Sequence, residues 1–203
     1  MFVLASASPA RRTLLRAAGI EPEIAVSGVD EEGVTADRTD ELCLLLARLK
    51  ASAVADGLPP GRRALVLGCD SMLDFDGRAL GKPTDAADAV ARWRAMRGRS
   101  GTLHTGHCLI DTGSGKRAEA VASTVVHFAD VTDAEIDAYI ATGEPLRVAG
   151  GFTIDGVGGP FVNGIEGDHG TVVGLSLPLL RRLLVELGTS ITELWRDGLA
   201  SGA

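Results

Sequence analysis

The sequence predicts a single α/β domain spanning 1–203, and three observations carry that expectation. The chain opens on an apolar strand over 2–5 that runs through Ser6-Ala7-Ser8-Pro9 into a helix. Strand-like runs and helical periodicities then alternate along the whole length. Midway, the apolar run 64–67 ends in Gly68-Cys69-Asp70. An aspartate at the end of a buried strand sits where α/β proteins place their chemistry.

The elements follow in order. Ser8 suits an N-cap and Pro9 a first helical position, so a helix is expected over 10–18, with Leu14 and Leu15 inward and Gly19 closing it. This strand-to-helix turn points free backbone N–H groups at one spot, a geometry that favours phosphate. Arg11 and Arg12 in the first turn oppose the helix dipole and are easier to understand beside an anion. The alternative is a plain capped helix with solvated arginines. A short strand is expected over 23–26, followed by the acidic Val29-Asp30-Glu31-Glu32. Such a run is either a solvated loop or a source of one carboxylate for a hard cation. Leu42, Leu45, Leu46, Leu49 and Val54 recur at helical spacing, which predicts a helix over 38–55 capped by Thr39 or Asp40, with Lys50 near its end.

The next stretch organises the rest. After the 64–67 strand and Asp70, a second strand is expected over 72–75. Asp76-Gly77 is a tight-turn signal, because a two-residue hairpin requires positive φ. The returning strand 78–80 leads into Gly81-Lys82-Pro83, so the hairpin would fold Lys82 back towards Asp70. A carboxylate and an ammonium held close on a hairpin suit a phosphate and metal site; the bland alternative is a surface hairpin with an incidental ion pair.

A helix capped by Thr84 or Asp85 is expected to Met96, with Ala89, Val90, Trp93 and Met96 on one face and Gly98 at its end. Strands are expected over 102–111 and 118–129; His104 and His107, three apart, then face opposite sides and are poor candidates for a shared metal. Thr132-Asp133-Ala134-Glu135 forms a capping box for a helix to Thr142, with Ile136, Tyr139 and Ile140 inward. The glycine-rich 147–170 is expected to be irregular, with short strands near Phe152 and Phe161, and to carry function as well as scaffold. Amphipathic helices are expected over 178–187 and 190–196.

Composition narrows the function classes. A formal charge of −7 argues against a nucleic-acid binder, whose footprint is a basic stripe. Only Lys50, Lys82 and Lys116 are lysines among 20 basic residues, so Lys82 beside Asp70 is a sparingly used residue type, a compact charge suited to a phosphate oxygen. Cys43, Cys69 and Cys108 are scattered, which suggests neither a disulfide framework nor a zinc site and points to core cysteines in a reducing cytoplasm. The N-terminus lacks the basic region and long apolar core of a signal peptide, and no run reaches transmembrane length. The P-loop pattern is absent from the sequence, which weakens a kinase-like reading.

Taken together, Ser6-Ala7-Ser8-Pro9-Ala10-Arg11, Val29-Asp30-Glu31, Lys50, and Asp70 with Gly81-Lys82-Pro83 resemble the Maf family of nucleoside triphosphate pyrophosphatases. Glu144-Pro145-Leu146, Ala149-Gly150-Gly151-Phe152, Ile165-Glu166-Gly167 and Val172-Val173-Gly174-Leu175 look like the later motifs of that family, in the same order. The resemblance implies a curved mixed β-sheet wrapped by helices, with two lobes around a central cleft. It implies hydrolysis of a nucleoside triphosphate to the monophosphate and pyrophosphate, a house-cleaning of non-standard or surplus nucleotides, with Mg²⁺ or Mn²⁺. Ser6 and Arg11 would bind phosphate, and Lys50 and Lys82 would grip the triphosphate. Glu31 and Asp70 would hold the metal and activate water, with Asp70 as general base. A homodimer is also implied; nucleic acid and membrane are not expected partners.

Three departures bear on the base. The family often has Arg at Ala10; a branch acting on thymidine and uridine triphosphates has Gln near Asp155 and Thr at Ser71; and a branch resembling a methylated-guanosine hydrolase has an aromatic at Ala10 and an acid near Asp155. A carboxylate accepts hydrogen bonds from guanine N–H groups, whereas an amide also donates. Ala10, Ser71 and Asp155 are therefore the positions expected to set base preference, which Ala10 leaves relaxed. His169 replaces the usual Tyr and reads as a solvated loop residue. The competing reading is a non-catalytic nucleotide-binding regulator of division or septum formation, against which the retention of both Glu31 and Asp70 argues.

Overall fold

The computed structural model describes residues 1–196; the last seven residues of the expected 1–203 domain lie outside them. Among the described residues, seven strands form one open mixed sheet, with six α-helices packed around it. The strands are β1 (Phe2–Leu4), β2 (Glu23–Ile24), β3 (Leu65–Phe75), β4 (Arg78–Leu80), β5 (Ser100–Asp111), β6 (Lys116–Phe128) and β7 (Val162–Glu166). Their order is β2-β1-β3-β5-β6-β7, with β4 paired to β3. The helices are α1 (Pro9–Ala17), α2 (Thr39–Asp56), α3 (Ala86–Met96), α4 (Asp133–Ala141), α5 (His169–Val173) and α6 (Leu177–Glu186).

Several local expectations hold at atomic detail. The Ser8 hydroxyl accepts from the Arg11 amide at the start of α1, and Asp85 caps α3. Thr132 and Glu135 close the capping box on α4. Asp76 and Gly77 both have positive φ, 53° and 74°, as a two-residue hairpin turn demands.

Four expectations are corrected. β3 is one continuous strand of eleven residues, so Asp70 lies in its middle and not at an end. The cause is β5, which pairs with β3 from Leu65 to Asp74 without a break. On the other flank, parallel β1 covers only Leu65–Leu67 and antiparallel β4 only Leu73–Phe75. The flank between them has no strand partner among the described residues, and it is there that Asp70 sits. The cap of α2 is the second correction: Arg38 occupies the N-cap and makes no side-chain cap bond, because the Thr39 hydroxyl is drawn to the Asp74 carboxylate at 2.8 Å. Third, the region near Phe152 forms 3-10 turns (Pro145–Arg147 and Ala149–Gly151) instead of a strand. Fourth, the last expected helix is a 3-10 turn, Ile191–Leu194.

The buried face of α2 matches the apolar stripe only in part. Leu46 and Val54 are buried together with Cys43, Ala47 and Ala51, whereas Leu49 is exposed. These small residues face glycines: a Cβ on Gly68 would lie 2.2 Å from the Ala47 carbonyl oxygen, and one on Gly106 would lie 2.3 Å from that of Cys43. α2 therefore rests backbone-close on β3 and β5. Because strand side chains alternate between faces, Asp70 shares the α2 face with Gly68, while Cys69 and Ser71 point to the other. That other face carries one apolar cluster with Leu67, Cys69, α1 and α6, and a second with Leu73, Trp93, Phe128, Tyr139 and Phe152. Ser71 falls between Cys69 of the first and Leu73 of the second. No helix among the described residues is long and apolar enough to cross a membrane.

Candidate functional site

A cleft of about 1020 Å³ opens at the uncovered flank of β3, within the size range of small-molecule sites. Ser6, Ala10, Arg11, Glu31, Lys50, Asp70, Ser71, Lys82 and Asp155, the nine residues singled out above, all line it. Their sequence spread, from 6 to 155, is brought together by the turn after β1 and the start of α1, by the loop before α2 and α2 itself, by β3 and the turn after β4, and by the irregular stretch after Gly151.

The Asp70 carboxylate is buried, and its partner is Lys50, with Nζ to Oδ1 at 2.6 Å. Lys50 is itself buried, not solvated, because α2 sits so close to the strand. The same Nζ meets Glu31 Oε1 at 2.8 Å. Of the three consecutive acids, only Glu31 makes this contact; Asp30 accepts from the Glu32 amide to shape the turn. The ammonium paired with Asp70 is thus Lys50, not the expected Lys82. Lys82 is exposed and has no ion-pair or hydrogen-bond partner among the described residues. The β3–β4 register sets Leu73 against Leu80, so continuing it would place Lys82 opposite Ser71. Burial pushes the Asp70 pKa above the ordinary carboxylate value, against the pull of Lys50 and Arg11. A carboxylate shifted in that direction is a better proton acceptor when ionised.

Arg11 is buried and almost fully engaged. Its Nε donates to the Gly174 carbonyl at 2.7 Å, Nη1 to Ser6 Oγ at 3.0 Å and to the Cys69 carbonyl at 2.9 Å, and Nη2 to Ser71 Oγ at 3.0 Å. Of the five N–H groups of a guanidinium, one is left for a ligand. Arg11 therefore pins the turn after β1 to the bare flank of β3 and keeps positive charge there. The Ser6 oxygen accepts from Arg11 and from the Ser8 amide, so its own hydrogen is free to be donated into the cleft. Arg12 does not line the cleft: it turns outward, with the Glu21 carboxylate at 3.9 Å.

Ser71 is committed differently. Thr105 Oγ1 donates its single hydrogen to the Thr171 carbonyl at 2.9 Å, so in the 2.8 Å Ser71–Thr105 bond the donor is Ser71. Ser71 thus accepts from Arg11 and donates to Thr105, and its hydroxyl proton is not free for a base. Beneath this relay, fully buried His107 is 3.0 Å from the Thr105 carbonyl and accepts the Ser176 amide at 2.9 Å. Burial drives its pKa down to about 4, so the ring is neutral. Cys69 is a core thiol pushed up to about 12 by burial. His169 is exposed at the start of α5.

Glu31 and Asp70 already converge on one cation, and their hard carboxylate oxygens fit Mg²⁺ or Mn²⁺. Among the described residues no group of three or more His, Cys, Asp or Glu gathers to hold a metal unaided.

Arg147, Glu144 and Thr153 also line the cleft; Glu144 stood in a quoted motif without a site role, and Arg147 and Thr153 were not singled out in the sequence. Arg147 is an exposed cation with no ion-pair partner among the described residues. Its only signal was its position one residue after the Glu144-Pro145-Leu146 motif. Elsewhere, Ser100, His127 and Glu166 form a hydrogen-bonded chain across three strands at 2.7 and 2.9 Å, but none of the three lines the cleft.

Comparison with known proteins adds to the geometry. Residues 1–187 match the family model described as Maf-like protein. A nucleoside triphosphate pyrophosphatase of Salinispora tropica is 69% identical over 199 residues, covering 97% of this chain and 88% of that protein. One from Streptomyces coelicolor is 66% identical over 194 residues, covering 96% and 94%. A protein of the same name from Gloeothece citriformis is 49% identical over 195 residues, covering 96% and 98%.

Proposed function

This chain belongs to the Maf-like protein family, and we propose that it hydrolyses nucleoside triphosphates to the nucleoside monophosphate and pyrophosphate in the cleft beside β3. One observation carries the assignment to this cleft: a buried carboxylate, Asp70, stands at 2.6 Å from Lys50 inside a cavity that also holds Lys82, Ser6 and Glu31.

In this reading the triphosphate lies along Lys50, Lys82 and the Ser6 hydroxyl, with the Arg11 charge behind them. The cations offset the repulsion that a polyanion presents to an incoming water and stabilise charge building on the phosphoryl oxygens. Asp70 takes the proton of a water that attacks the α-phosphorus. The new P–O bond forms there, the bond to the bridging oxygen breaks, and pyrophosphate leaves with that oxygen. Glu31 and Asp70 are the residues that would hold a divalent ion, which neutralises phosphate charge when bound. Ser71 acts through Arg11, so among the three base-determining positions Asp155 is the one with a free polar group.

Hydrolysis in ¹⁸O-labelled water with Mg²⁺ tests the proposal. Label should appear in the monophosphate; label confined to pyrophosphate would refute attack at the α-phosphorus. The Asp70→Asn protein should release pyrophosphate about a hundredfold more slowly or worse, and near-normal turnover would remove Asp70 from the base role.

A further inference from the structure

Glu144 is a cleft residue whose carboxylate faces inward, into the protein's own backbone. Four donors converge on it. Oε1 accepts from the Tyr139 hydroxyl at 3.0 Å, from Thr153 Oγ1 at 2.5 Å and from the Gly158 amide at 3.0 Å. Oε2 accepts from the Val157 amide at 3.1 Å. The Tyr139 oxygen in turn accepts from the Thr153 amide at 3.1 Å. Bonds to an ionised acceptor are among the stronger ones available to a loop. Burial alone would raise the Glu144 pKa, yet the bonds from Thr153, Val157, Gly158 and Tyr139 together hold it below the ordinary value.

The loop is shaped to this carboxylate. A Cβ on Gly156 would lie 2.5 Å from Glu144 Oε2 and 2.8 Å from Thr153 Oγ1. One on Gly158 would lie 2.3 Å from the Tyr139 hydroxyl. The clamp is also anchored from behind. Tyr139 is buried and packs edge-on to Trp93 at 5.5 Å between centroids, and the Trp93 indole donates to the Gly151 carbonyl at 2.8 Å.

Of this loop, Ile154, Asp155 and Val157 line the cleft together with Thr153, whose hydroxyl is spent on Glu144. Apolar surface with one carboxylate suits a nucleobase, which offers a flat face and N–H donors; the same carboxylate would repel phosphates. The cations assigned to the triphosphate come from other elements, namely α1, α2 and the β3–β4 hairpin.

We propose that Glu144 is a positioning residue for the nucleoside: it holds the 153–158 segment as a fixed wall of the cleft, so that Asp155 and Val157 meet the base in one arrangement and selectivity follows. The proposal rests on the triphosphate reading above.

The test is Glu144→Gln, which keeps the shape but turns an N–H group against one set of donors. Binding is read by calorimetry with Mg²⁺, using α,β-methylene nucleoside triphosphates of several bases, whose bridging carbon resists cleavage, and inorganic triphosphate as the baseless probe. Kd for the nucleotides should rise about tenfold or more, with the spread between bases narrowed and Kd for inorganic triphosphate within about twofold. In turnover, KM should rise while kcat changes less than about threefold. Gly156→Ala perturbs the same carboxylate from the exposed side, without touching the aromatic cluster, and should give the same split if Glu144→Gln folds poorly. Unchanged nucleotide affinity in Gly156→Ala, or equal weakening of inorganic triphosphate, would overturn the proposal. If the unsubstituted protein released no pyrophosphate, the catalytic reading would fail, and the binding split would still decide the role of Glu144.

Discussion

Replacing Lys50 by Met removes the ammonium that Asp70 and Glu31 share and leaves a side chain of similar length. The Lys50 and Asp70 side chains are each only 11% exposed, so solvent screens their attraction little. Glu31 is 47% exposed and can turn to water, so its loss weighs at most about 1 kcal/mol. Breaking a buried pair by removing one partner costs about 3–5 kcal/mol. The nearby Arg11 charge still favours ionised Asp70, which places the expected loss near the lower end, about 3 kcal/mol at neutral pH. The pH dependence follows from the sign of the shift. The folded Asp70 pKa is already raised by burial, so the folded state binds more protons than the unfolded one across that interval, and ionising Asp70 costs stability as pH rises. Without Lys50 the folded pKa rises further. The deficit of Lys50→Met should therefore be largest at neutral pH and shrink as the solution is acidified towards the ordinary carboxylate range. Urea denaturation of both proteins at a series of pH values measures it. A deficit below about 1 kcal/mol, or one that does not shrink on acidification, would refute the reasoning.

Two further outcomes are expected. The His107 pKa is lowered to about 4 from 6.5, so its contribution is complete above the unfolded value and is lost as pH falls from 6.5 towards about 4. Over that window it amounts to roughly 3 kcal/mol; His107→Gln, which does not titrate, should flatten this part of the stability profile, and an unchanged slope would count against it. Lys82→Ala should separate stability from activity: the side chain is exposed and has no ion-pair partner among the described residues. The free energy of unfolding should therefore stay within about 0.5 kcal/mol of the parent, while pyrophosphate release falls about a hundredfold; a stability loss matching the activity loss would argue for a structural lysine.

The amino-acid sequence by itself determined the pieces whose cause is local. Ser8 before Pro9, Thr132 with Glu135, and Asp76-Gly77 each specify a cap or a turn through the chemistry of neighbouring residues, and each forms as read. The family resemblance also pointed to nine residues that one cleft collects. Only the tertiary structure decided which of them touch. By local pattern Lys50 was only a lysine near the end of a helix; it meets Asp70 because α2 settles against Gly68 and Gly106, where the absence of a side chain lets a helix backbone approach a strand. Asp70 looked like the end of a strand because Gly68 interrupts the apolar run, whereas pairing along the whole of β5 carries β3 straight through it. Ser71 was expected to help set base preference, and the direction of its bond followed only from Thr105 spending its proton on Thr171. Glu144, Thr153 and Gly158 gave no sign of a shared purpose because their bonds span up to 14 residues of irregular backbone. Caps and turns are set by neighbours within a few residues, and so are written in the sequence. Ion pairs and clamps between elements depend on how closely those elements pack.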